Sequence, residues 1–199
     1  MIVNFPYDRE RAVEYARRWA LSRNPLFADF TGRGGNCTNF VSQCLLAGIS
    51  VMDFTPTFGW YYRSIDDRAP AWSGVDELYD FLTDSGDFAQ DATPLGPYGE
   101  EATSRDQIMI GDVIQLQNRS GQYYHTLIIS EILPNDILVC AQSDDALERP
   151  LSTYNFASLR IIHILGGTIE LASDDAFLTL LNGTAIKSIV SEAKDVSAQ

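Results

Sequence analysis

Histidine and cysteine are scarce in this chain, with two histidines and three cysteines among its 199 residues. No C-x-x-C and no H-x-x-x-H occurs, so the usual zinc spacings are missing and no metal or cofactor is expected. An odd, sparse set of cysteines (Cys37, Cys44 and Cys140) excludes a disulfide scaffold. Basic residues are few as well: 14 Lys and Arg stand against 27 Asp and Glu, for a net charge of −13. Without a basic stripe to displace counterions, nucleic acid is not an expected partner, and an anionic membrane surface is disfavoured for the same reason. No apolar run approaches the ~18 residues of a membrane span, and Met1 to Tyr7 lacks the basic and apolar regions of a signal peptide. The expectation is a protein that is cytoplasmic or exported by a non-classical route.

What is present suits one soluble domain, with 45% hydrophobic and 21% charged residues. Asp8 can cap a helix over 9–22, which Asn24-Pro25 ends. A second helix begins at Cys37, because Cys37, Phe40, Val41, Cys44 and Leu45 recur at i, i+3, i+4, i+7 and i+8. Asn36 is its N-cap and Gly48 its stop. Residues 49–72 read as irregular and dense in aromatics. Ser73 opens a third helix in a capping-box pattern, and 84–106 is a turn-rich surface excursion. Beyond that the period changes to that of strands, over 113–117, 123–132, 137–142 and 159–165, joined by short turns into an antiparallel meander. Helices first and strands later is the α+β pattern. The domain is placed at 1–167, with 168–199 a C-terminal extension holding a helix near 174–181 and a frayed tail.

Cys37 is the candidate nucleophile. It follows Gly34-Gly35 and occupies the first turn of a helix, where free N–H groups and the helix dipole favour a thiolate. His125, in the strand Tyr123–Ile132, is the candidate base; His163 lies in an apolar strand and reads as structural. Gln142 ends the strand after that of His125 and is the preferred orienter of the imidazole, with Ser143 and Asp144 as alternatives. The Cys37 backbone N–H is one oxyanion donor. Asn36 and Asn39 serve either as further donors or as cap and first-turn residues. Cys44 and Cys140 read as core thiols. The aromatics around Trp60 and Trp72 either line a groove or fill the core.

Gly34-Gly35-Asn36-Cys37-Thr38-Asn39-Phe40-Val41-Ser42-Gln43 resembles the signature of the bacterial "putative amidase domain" family, a branch of the papain-like superfamily that includes NlpC-type and CHAP domains. Asn24-Pro25, Trp60, Trp72 and Gly111-Asp112-Val113 fit the same pattern, over roughly residues 8–165. The family usually has Asp before the Cys and often a His where Gln142 stands. The resemblance implies a Cys-bearing helix packed on an antiparallel sheet that carries the base. It implies hydrolysis of an amide through a thioester, without metal or cofactor, on peptidoglycan peptide or amide bonds. Two further readings stand beside it. One is an effector or toxin that cleaves or deamidates a protein, with which the strong acidity is more at ease than with an anionic cell wall. The other is an inactive binding module.

Overall fold

The computed structural model describes residues 2–84, 94–170 and 181. Among the described residues four complete α-helices, α1 (Arg9–Trp19), α2 (Cys37–Ile49), α3 (Pro70–Ser73) and α4 (Val75–Thr83), accompany seven strands. The strands are β1 (Ile2–Phe5), β2 (Gly96–Glu101), β3 (Val113–Gln117), β4 (Tyr123–Ile132), β5 (Ile137–Ala141), β6 (Ala146–Pro150) and β7 (Ser158–Glu170). All their pairings are antiparallel, in the order β1-β7-β3-β4-β5-β6, with β2 also on β7. The architecture is therefore α+β, and the meander β3-β4-β5 forms as its turns dictate. Among the described residues no helix is long and apolar enough to cross a membrane.

The sheet is buried on both faces. Side chains alternate along a strand, so each strand feeds two cores. Val113, Ile128, Cys140 and Ile162 meet α1, α2 and α4 through Ala16, Phe40, Cys44 and Leu78. Ile114, Leu116, Leu127, Ile129 and Val139 form a second cluster with Leu151, Ile108 and Tyr154.

Several sequence-derived boundaries move, for identifiable reasons. Asp8 does cap α1, accepting from the Arg11 N–H at 3.0 Å. Gly48 does not end α2; it lies inside the helix, where a Cβ would stand 2.3 Å from the Tyr7 ring. The stop is Ser50, in the left-handed conformation with φ 61°. Gly74, rather than Ser73, precedes α4. The excursion placed at 84–106 contains β2, whose Gly96 and Pro97 are buried against β7. Strand β1 escapes the alternation test because it has four residues, and β6 because its Glu148, Arg149 and Pro150 form no apolar alternation. The helix expected at 174–181 lies outside the described residues except for Leu181.

One buried carboxylate joins the start of α1 to the sheet. Asp112 has no solvent exposure. It accepts from the Arg9 guanidinium at 2.6 Å, the Met109 N–H at 2.8 Å and the Ile164 N–H at 3.1 Å, and faces His163 Nδ1 at 2.8 Å. Arg9 also donates to the carbonyls of Ile110 and Ile164. His163 is thus a structural partner of Asp112. Removing one member of such a network strands the other charge. Asp112→Asn is expected to destabilise the fold by about 3 kcal/mol, read from the urea midpoint at constant m-value. A change well under 1 kcal/mol would show that Arg9 is solvated independently of Asp112.

Candidate active site

Gly34 and Gly35 adopt φ 102° and 107°, a region open to glycine but strained for other residues. Asn36 then leads into α2, with Cys37 as the first helical residue, 7% exposed. The Asn36 side chain does not cap the helix. Its oxygen accepts instead from the Phe30 N–H at 2.9 Å and the Asn39 amide at 2.8 Å, and its nitrogen donates to Gln142. The first turn of α2 also carries no acidic residue. Among the described residues its N–H groups at the Cys37 end thus have no side-chain acceptor.

Gln142 and Ser143 come to this end of α2 from the turn after β5. Gln142 donates its amide to the carbonyls of Trp19 and Ser22, both at 2.7 Å, while accepting from Asn36. Its carboxamide is therefore a clamp joining the end of α1, the residues before Cys37 and the sheet. Ser143, with φ 85°, accepts from the Asn36 N–H at 2.5 Å. A third tie is the hydroxyl pair Thr38–Thr126, at 2.8 Å, which fixes the first turn of α2 to β4. Thr38 Oγ1 is 3.9 Å from the Cys37 sulfur.

His125 is placed differently. Thr126 turns toward α2, so its neighbour His125 points to the opposite face. Its register partner is Leu116, a member of the second cluster. Its ring lies 6.1 Å from that of Tyr154 and stacks beside Tyr124 at 6.2 Å. Among the described residues His125 Nε2 is buried without a hydrogen-bond partner, as is the Tyr154 hydroxyl. The structure therefore brings Cys37 and Gln142 to one place and puts His125 across the sheet. Among the described residues no hydrogen bond joins His125 to either. Tyr124 is the extra residue of a bulge, since Gln117 pairs with Tyr123 and Leu116 with His125.

Asp144 bonds Arg149 at 2.7 Å rather than the imidazole. Trp60 and Trp72 are fully buried core residues that donate to Ser42 at 3.0 Å and Asn39 at 2.7 Å. Asn39, which also donates to the Ala28 carbonyl at 3.1 Å, is likewise held inside. Burial pushes the thiols of Cys44 and Cys140 up. Residue reading alone passes over Thr38 and Thr126. The period-two pattern holds the signal: it groups Thr126 with Ile128 on one face of β4 and His125 with Leu127 on the other. Among the described residues no group of three or more His, Cys, Asp or Glu is arranged to hold a metal.

Burial lowers the His125 imidazole to about 4, from an ordinary value of 6.5; Asp144 opposes that shift and Arg149 adds to it. The ring is neutral at pH 7. Between those two values the unfolded chain binds a proton that the folded chain does not, so stability falls as pH drops through that window and levels off below it. The loss amounts to about 3 kcal/mol at most. Thermal melts of the wild type and His125→Phe from pH 7 to pH 4 are expected to diverge, with the variant losing less. Parallel curves would mean that the ring is hydrated.

A family model described as "Putative amidase domain" matches residues 6–165. A Bacillus subtilis (strain 168) protein named "Uncharacterized protein YhbB" is 32% identical over 149 residues, which is 73% of this chain and 44% of that protein. The chain thus spans less than half the length of this relative. No solved structure matches.

Proposed function

The chain belongs to the "Putative amidase domain" family, and we propose that it is a cysteine-dependent amide-bond hydrolase of papain-like design with Cys37 as the nucleophile. The observation that carries this reading is the uncapped start of α2. Asn36, the residue best placed to satisfy its N–H groups, is diverted to Phe30, Asn39 and Gln142. Those N–H groups can then serve the anion that forms on an attacked carbonyl. Cys37 sulfur attacks the carbonyl carbon and the C–N bond breaks. The amine leaves with the proton taken from the thiol, and water then hydrolyses the thioester to acid and free thiol. Peptide amides, including those of peptidoglycan, are the proposed substrates.

His125 is the proposed proton carrier, and the β4 bulge is its route to Cys37. Moving the bulge from Tyr124 to Thr126 would pair Tyr124 with Leu116 and His125 with Gln115. The imidazole would then stand on the α2 face, where Thr126 stands now. The exchange gives up the Thr38–Thr126 hydrogen bond, about 1 kcal/mol, and relieves an orphaned Nε2 that costs about 1–3 kcal/mol. Mild oxidation of the His125→Cys variant is expected to yield a disulfide between Cys37 and the introduced thiol. If only a Thr126→Cys control cross-links to Cys37, the bulge does not move.

A second reading has a specific observation behind it. Gln142 is committed to the clamp and His125 rests across the sheet, which is what a binding module without turnover would retain. Iodoacetamide labelling and peptidoglycan digestion separate the two. A hydrolase is expected to be labelled at Cys37 well before the fully buried Cys44 and Cys140. Its release of amines from peptidoglycan or a test peptide is expected to fall at least ~10³-fold in Cys37→Ala. Equal, slow labelling of all three thiols with no turnover supports the binding module. Turnover of a protein substrate alone supports an effector-type enzyme.

A further inference from the structure

A polar row crosses the sheet beneath the helices. Arg160 of β7 pairs with Gln115 of β3, and Gln115 pairs with Thr126 of β4, which bonds Thr38 beside Cys37. The row begins at an unusual cation. The Arg160 guanidinium lies 3.6 Å from the ring centroid of Tyr79 and 3.7 Å from that of Tyr123. Its Nε donates to Gln115 at 2.7 Å and one terminal nitrogen donates to Asp76 at 2.8 Å. Among the described residues the other terminal nitrogen has no hydrogen-bond partner, and it is not fully buried.

A guanidinium stacked between two rings is fixed in orientation and presents its N–H edge as a planar fork, the shape that accepts a carboxylate. Its side chain is 9% exposed, so a ligand there would be shielded from water. Asp76 is the present counter-ion, and its side chain is 60% exposed. An ion pair open to solvent on one side contributes little and exchanges readily. Two strand spacings separate the backbones of Arg160 and Thr126, about 10 Å, which three extended residues span.

We infer that Arg160, gripped between Tyr79 and Tyr123, is the carboxylate-binding group of the Cys37 site. The amides taken there carry an anionic group about three residues, roughly 10 Å, from the reacting carbonyl. This rests on Cys37 being the reacting group. Arg160 acts on substrate choice and holds no part in the bond-breaking step.

The test compares two maleimides of equal length, 6-maleimidohexanoic acid and its uncharged primary amide. In each the Cys37 sulfur adds to the ring double bond and a solvent proton goes to the neighbouring carbon. Rates are read at Cys37 by peptide mass spectrometry. The wild type is expected to react at least threefold faster with the acid, a preference that fades in high salt. Arg160→Gln is expected to abolish it, and Asp76→Asn, which removes the competing carboxylate, to enlarge it. Equal wild-type rates, or a preference unchanged in both variants, overturn the inference. Should Arg160→Gln fail to fold, the Asp76→Asn ratio decides alone. If Cys37 reacts with neither reagent, the hydrolase reading fails. Glutarate and glutaramide are then titrated while the Arg160 Nε–H resonance is followed. A saturable shift with glutarate alone upholds the anion site, and no shift refutes it.

Discussion

The two-residue period of β4 governs the chemistry of this molecule. Adjacent side chains on a strand cannot share a face unless a bulge intervenes. Ile128 must meet Phe40 and Cys44 of α2, and with it Thr126 is turned to the same side. His125 is then committed to the face of Leu116 and Leu127. The bulge at Tyr124 lies immediately before His125, so the facing of that one side chain is set locally. Shifting the whole strand would carry Ile128 to the other face, away from Phe40 and Cys44, whereas moving one bulge leaves it where it is.

The start of α2 is held from three directions, and each tie is polar. Gln142 draws in the end of α1, Ser143 holds the backbone of Asn36, and Thr126 holds Thr38. Buried amides and hydroxyls of this kind are stable only when nearly all their bonds are made. That condition accounts for the burial of Asn36, Asn39, Ser42 and Gln142 together, with Trp60 and Trp72 supplying ring N–H donors from the long segment after α2. The aromatics that could have lined a groove serve instead as the packed backing of the Cys37 helix. The rigidity so produced keeps the α2 N–H groups aimed in one direction, which is what a carbonyl-binding site requires.

Much of this is legible in residue order. The i, i+3, i+4, i+7 spacing from Cys37 marks α2, and strands β3, β4 and β5 follow from their β-branched runs and short turns. Gly48 misleads because a glycine late in a helix looks like a stop, while here it admits the Tyr7 ring from a distant segment. β2 is hidden because Gly96, Pro97 and Gly99 are poor strand formers, and only pairing with β7 makes them one. Gln142 is recognisable as a polar residue near Cys37, but its partners come from α1 and the loop before α2. No local pattern announces contacts made across more than a hundred residues.

Residue order alone sets the helix that carries Cys37, the α+β order of elements, the antiparallel meander and membership of an amidase family. Those depend on local periodicity, turn chemistry and a contiguous motif, all of which are written along the chain. Long-range packing settles which face His125 takes, what Gln142 holds, and that Arg160 is pressed between Tyr79 and Tyr123 at the far end of the row from Thr126. The reason is that strand register follows from which side chains bury together. A shift of one residue in that register exchanges the two faces without changing any local preference.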